Sequence, residues 1–228
     1  MYICITTKYK NMKVELISKT VGVGRYKELT NEEVVAAVAR HGEIKEDKGR
    51  LVQYLMNHKH WSPLQHISYG FRIETRRSIS AQIFRHRSLN GQESSLRYSE
   101  SIGFEEIDLR KEHPTNRQSS LDSFNPIITS VNASELIEEH NENTAKLYDK
   151  LIKAGVAKEC ARDILPLSSK TTIHITATLR DLLGILNVRC QKDTQKEFRD
   201  IATLIGEELE KQLPNIFKKI EWRSGGFM

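Results

Sequence analysis

Arginine, histidine and amide side chains are concentrated between residues 85 and 98, RHRSLNGQESSLRY. Arg85, Arg87 and Arg97 can grip a phosphate or carboxylate through charge-assisted, often bidentate hydrogen bonds. Gln92, Glu93 and Ser95 add donors and acceptors of the kind that fix a heterocycle in a pocket. The cluster therefore suits an anionic, polar small molecule. A basic helix end is more often a solvated face, so charge alone does not separate a ligand site from ordinary surface.

The elements around the cluster decide where these side chains go. From Ser78 to Phe84 the pattern is helical, with Ile79 and Ile83 on one apolar face and Gln82, Arg85 and His86 on another. Gly91 is expected to break that helix and turn the chain, so that Gln92, Glu93 and Ser95 point back into the same space. Upstream, Ile67, Tyr69, Phe71 and Ile73 alternate with Ser68, Gly70 and Arg72, the period of a strand with one buried face.

Further strands are expected near Tyr2 to Thr6, Val14 to Ser18 and Ile173 to Ala177. Thr30 and Glu33 form a capping box ahead of VVAAVA, with the helix continuing through Leu51 to Met56. Asn132 and Glu135 open another helix that Gly155 ends, and Thr194 with Glu197 opens the last long one, whose inner face carries Phe198, Ile201, Ile205 and Leu209. Residues 105 to 130 are polar, hold Pro114 and Pro126, and show no lasting period, which predicts a long excursion or flap. The order of elements predicts an α+β fold, a mixed or antiparallel sheet packed with several helices. One domain spanning residues 1–228 suits a chain of this length with 38% hydrophobic content.

The net charge of +5 is spread among acidic residues rather than gathered in a block, which argues against a nucleic-acid footprint. No run approaches the roughly 18 apolar residues of a membrane helix, and the opening MYICITTKYK lacks the apolar core of a signal peptide. A cytoplasmic protein without a membrane partner is expected. Cys4, Cys160 and Cys190 are far apart and have no paired metal spacing, so they read as packing residues and no metal is expected.

The wording RHR, seven residues, Ser, then an arginine and a tyrosine resembles the signature of the flavin-dependent thymidylate synthases, the ThyX family. Arg85, His86, Arg87, Glu93, Ser95, Arg97 and Tyr98 carry the match. HWSPLQH from His60 to His66, ECARDILPL around Arg162 and RDLLGILNVR from Arg180 to Arg189 resemble three further blocks, so the likeness spans roughly residues 50 to 200.

The resemblance implies a ThyX-like catalytic domain that methylates dUMP to dTMP. Methylenetetrahydrofolate would be the carbon donor, FAD the redox carrier and NADPH the reductant, and no cysteine nucleophile would be needed. It implies a homotetramer with active sites between subunits. Carried over by position, Gln82, Glu93, Ser95, Leu96, Arg97, Arg162 and Arg189 would meet dUMP, with Arg189 catalytic. His60, Ser62, Arg85, His86, Arg87, Gln92, Glu93 and Arg180 would meet FAD. Gln65, Thr178, Gly184 and Asp193 depart from residues seen in the family, as do Asn90 and Gln92. Arg180 and Arg189 are nine residues apart, which at about 100° per residue places them on opposite helix faces.

Overall fold

The computed structural model describes residues 12–46, 48–98 and 103–228; the strand expected at Tyr2 to Thr6 lies outside them. The chain runs β1 (Lys13–Lys19), α1 (Asn31–Ala39), α2 (Arg50–Asn57), β2 (Ser68–Arg76), α3 (Arg77–Ile83) and β3 (Asn90–Glu93). Short strands β4 (Arg110–Glu112), β5 (Ser120–Ser123), β6 (Ile127–Ile128) and β7 (Val131–Asn132) follow, then α4 (Ala133–Lys153) and α5 (Lys158–Ala161). The chain ends with β8 (Lys170–Thr178), α6 (Leu179–Arg189), α7 (Lys196–Gln212) and α8 (Pro214–Phe217).

The main sheet has the order β1-β2-β8-β3, and every pair is antiparallel. Alternation fixes which side is wet. Tyr69, Phe71 and Ile73 sit opposite Ala177, Ile175 and Ile173, and all six are buried, whereas Arg72 and the exposed His174 share the other face. Leu179, Leu182, Leu183 and Leu186 from α6 join Phe198, Ile201, Ile205 and Leu209 from α7 in the same core. The architecture is α+β with an antiparallel sheet, as the pattern predicts.

Local chemistry explains several boundaries. The Thr30 hydroxyl accepts from Glu33 N and the Glu33 carboxylate accepts from Thr30 N, the reciprocal cap expected for α1. That helix does not run on to Met56: it closes at Arg40, and His41 and Gly42 follow in left-handed backbone (φ 54° and 94°), so α2 is a separate helix. Asn132 and Gly155 bracket α4 as expected, Gly155 in the left-handed region at φ 86° just past the cap.

Two further expectations fail. Gly91 is not a turn; it lies inside β3 opposite Ile175, and α3 has already ended at Ile83. Its lack of a side chain serves a close approach, because a Cβ there would stand 2.3 Å from Phe84 Cε1. Thr194 and Glu197 form no capping box: the N-cap of α7 is Gln195, the Thr194 hydroxyl donates to Arg189 O at 2.8 Å, and Glu197 turns to two arginines. Tertiary partners outcompete the local cap.

The polar stretch from 105 to 130 holds the β4–β5 hairpin. Its Arg110 is docked on α7 through Glu197, and Asp108 accepts from Lys196 at 3.2 Å.

Candidate active site

The site is built on the short connection between α3 and β3. Arg85 N and His86 N donate to Gln82 O and Ile83 O, which closes a turn and carries Arg85, His86 and Arg87 out from the core. Isoleucines 79 and 83 bury the inner face of α3, leaving half-buried Gln82 on the rim.

Four elements converge there. The Arg189 Nε–H, at the last residue of α6, donates to His86 Nε2 at 2.9 Å. The Arg189 guanidinium lies 4.6 Å from the centroid of the Phe198 ring of α7, and His86 meets the same ring edge-on at 5.6 Å. Gln82 Nε2 donates to Gln195 Oε1 at 2.5 Å. Burial first, and the Arg189 charge second, hold the His86 pKa below its ordinary value; burial first and the Arg85 charge second lower that of Arg189, whose guanidinium nevertheless stays charged.

β3 separates its side chains as a strand must. Glu93 accepts from Ser80 Oγ at 2.7 Å and pairs with Arg77 at 3.3 Å, on the α3 side of the sheet. Gln92 stands opposite His174 on the exposed face, so Gln92 and Glu93 do not share one space as expected from a turn. Ser95 opens a further turn in which its hydroxyl accepts from Arg97 N; Leu96 is buried, and Arg97 is exposed.

The remaining residues singled out from the sequence lie elsewhere. The turn Ser62–His66 enters β2, whose Ser68 pairs with Thr178 at the start of α6, so Ser62 and exposed Arg180 belong to that end. His60 immediately precedes this turn and packs edge-on against Tyr54. Arg180 and Arg189 are separated by about 14 Å along the helix axis at 1.5 Å per residue. Arg162 donates to Glu159 O in its own turn. A single chain thus holds the arginine-rich turn and Arg189 together and sets His60, Ser62 and Arg180 apart.

Sequence reasoning missed the support behind the cluster. Glu197 accepts from Arg76 and Arg110, each at 2.9 Å, and Gln195 and Phe198 from the same helix turn hold Gln82, Arg189 and His86. Phe198 was legible only as an apolar position. Beside this turn, a cavity of about 450 Å³ is lined by Arg110, Lys192, Lys196 and Arg199 together with Asp108 and Asp122. A cavity of about 660 Å³ lies away from the cluster, between residues 103–107 and α4.

Cys190 follows Arg189 but is buried, and its thiol is pushed up to about 11, chiefly by burial. Among the described residues no group of histidine, cysteine and carboxylate side chains is arranged to hold a metal, and no helix is long and apolar enough to cross a membrane.

Residues 13–215 match the family model described as Thymidylate synthase complementing protein. The chain is 36% identical over 173 residues to a flavin-dependent thymidylate synthase of Synechocystis sp., covering 76% of this chain and 80% of that protein. It is 36% identical over 199 residues to a probable flavin-dependent thymidylate synthase of Paramecium bursaria Chlorella virus 1, covering 85% and 92%. The Thermosipho melanesiensis enzyme of the same description is 34% identical over 170 residues, 74% of each chain.

Proposed function

Because the chain belongs to the flavin-dependent thymidylate synthase family, we propose that it converts dUMP to dTMP with FAD bound, taking its carbon from methylenetetrahydrofolate and its reducing equivalents from NADPH. The observation that carries this reading is the setting of Arg189, a half-buried guanidinium held between a neutral imidazole and an aromatic ring, with Gln82 anchored by Gln195 beside the same α7 turn.

Methylation at C5 of uracil needs electron density on that carbon while a ring nitrogen and a carbonyl take up negative charge. A fixed guanidinium facing that edge stabilises the charged form more than the neutral one, and such differential stabilisation accelerates the step. Gln82, Glu93, Ser95, Leu96, Arg97 and Arg162 are assigned to dUMP, the arginines to its phosphate. Glu93 fits a placed acceptor, since Ser80 and Arg77 fix its carboxylate.

Bound FAD supplies the redox chemistry. The donor set fits it: Arg85, Arg87 and Arg180 are exposed cations suited to a pyrophosphate, and His60, Ser62, His86, Gln92 and Glu93 offer ring, hydroxyl, amide and carboxylate contacts. Those residues fall at both ends of α6, which supports sites shared between subunits of a homotetramer. Apolar side chains left open in one chain support it too, among them Ile127 and Leu167 at 73% and 69% exposure. Cys190 supports a route without a thiolate, since it is buried and far from ionised at neutral pH, whereas Cys160, expected from the sequence to be a packing residue, is exposed in α5, just after α4.

The test is the colour and turnover of the purified protein. A flavin spectrum, FAD in the supernatant after heat denaturation, NADPH oxidation sensitive to dUMP and dTMP as product are expected. Absence of FAD together with failure of the apo-protein to bind it would defeat the proposal.

A further inference from the structure

We propose that His86 is a positioning residue for Arg189, leaving only the outer Nη1/Nη2 fork of the guanidinium to address the substrate; this rests on the reading of Arg189 as the group that meets the uracil edge.

The direction of the hydrogen bond fixes the chemistry of the imidazole. A guanidinium has donors and no acceptor. The contact of 2.9 Å from Arg189 Nε to His86 Nε2 therefore requires a lone pair on Nε2, with the proton on Nδ1. His86 acts as an acceptor and must be neutral.

Packing holds the pair in one arrangement. Phe198 lies under the Arg189 guanidinium at 4.6 Å and against the edge of His86 at 5.6 Å with the ring planes at 88°. A guanidinium can present two bidentate edges, one through Nε and one through the two terminal nitrogens. His86 takes the first. The second remains, and its paired N–H groups match a ring nitrogen and the carbonyl beside it, the two atoms over which an ionised uracil spreads its charge.

The surroundings agree with a neutral acceptor. Arg189 faces His86 from α6 and Phe198 faces it from α7, while Arg85 and Arg87 flank it on its own turn. None of the charged groups favours an imidazolium. Protonation would remove the acceptor and set a second cation against Arg189, so the positioning is present at neutral pH and lost as pH falls through the lowered His86 pKa.

The experiment uses the full chain with flavin quantified in every sample, comparing H86F, H86Q, R189A and the double variant H86F/R189A. His86→Phe should lower kcat per bound flavin by about 10²-fold, the scale of losing one preorganised donor, and the double variant should be no slower than R189A alone. His86→Gln, whose amide oxygen accepts but does not titrate, should recover most of the loss and remove the acid limb of the kcat profile. A near-normal H86F, losses that multiply in the double variant, an unmoved acid limb in H86Q, or a defect confined to flavin content would each overturn the proposal. Nitrogen NMR shifts of the His86 ring read the tautomer independently of turnover: an unprotonated Nε2 that changes in R189A is expected, and a protonated Nε2 at neutral pH would refute the assignment even if the protein made no dTMP. Absence of dTMP from the wild-type protein would count against the functional reading and not against this contact.

Discussion

Arg110 Nη2 lies 2.9 Å from both carboxylate oxygens of Glu197, a residue 87 positions further along the chain. Arg76 Nη2 reaches the same carboxylate at 2.9 Å, and all three side chains are largely shielded from water. One carboxylate thereby joins the 105–123 segment, the entrance to α3 and the first turn of α7. That turn also carries Gln195 and Phe198, so the hairpin and the candidate site share a foundation.

Removing Glu197 should be costly because two shielded guanidinium groups lose the carboxylate they share, leaving Arg110 with Asp108 at 2.9 Å and Arg76 with Glu105 at 3.9 Å. Glu197→Ala is expected to lose about 3 to 5 kcal/mol, the range for breaking a buried pair, measured by urea denaturation. Burial raises the Glu197 pKa, but the backbone hydrogen bond and its contacts with Arg110 and Arg76 outweigh it, and the net shift is downward. A depressed carboxyl contributes stability that is present above the ordinary value of about 4.3 and lost as pH falls through the folded value. The midpoint should therefore drop on acidification in the native protein and do so less steeply in Glu197→Gln.

Gln195 should matter through Gln82. The contact of 2.5 Å fixes one end of the Gln82 amide, and a hydrogen bond of this kind contributes about 1 kcal/mol. Gln195→Leu is expected to raise the KM for dUMP roughly fivefold by that measure. An unchanged KM would mark the contact as packing alone.

Arg189 should be far more sensitive. Arg189→Ala is expected to cut dTMP formation about 10²- to 10³-fold at saturating dUMP. Arg189→Lys should recover little, because an ammonium lacks the planar fork. Turnover close to normal in either variant would show that Arg189 serves packing against His86 and Phe198 alone.

Cysteines should be dispensable for chemistry. A variant with Cys4, Cys160 and Cys190 replaced by Ser or Ala should still form dTMP if folded and loaded with flavin. Cys190 is the informative one, being adjacent to Arg189 yet buried with a thiol near 11. Complete loss of product from the folded triple variant would reinstate a thiolate.

Gly91→Ala tests the packing behind the arginine turn. The added carbon would meet Phe84 Cε1 at 2.3 Å and His174 O at 3.2 Å, so the ring must move, at a cost of about 1 to 3 kcal/mol. A melting temperature equal to that of the native protein would show that Phe84 moves freely.

Elements with strong local signals were legible from the sequence. The alternation from Ile67 to Ile73 gave β2 and its buried face, and Thr30 with Glu33 gave the start of α1, since both depend on neighbours in the chain. The Thr194–Glu197 pattern misled for the opposite reason. It has the spacing of a cap, but Arg76 and Arg110 arrive from distant segments and offer the carboxylate a stronger partner than a backbone N–H. Gly91 misled similarly, because a glycine needed for a turn and one needed for the approach of Phe84 look alike in one dimension.

The sequence by itself determined the α+β class, the family and the residue types gathered at 85–98, because periodicity and motif spacing are properties of the chain order. Only the tertiary structure decided which edge of Arg189 is occupied, which residue anchors Gln82, and that Gln92 and Glu93 face opposite ways. The first two relations depend on contacts across 103 and 113 positions of the chain, and the third on the pairing of residues 90–93 with the distant strand β8. Hydrogen bonds and ring contacts act over a few ångströms in space and carry no signature at such separations along the chain.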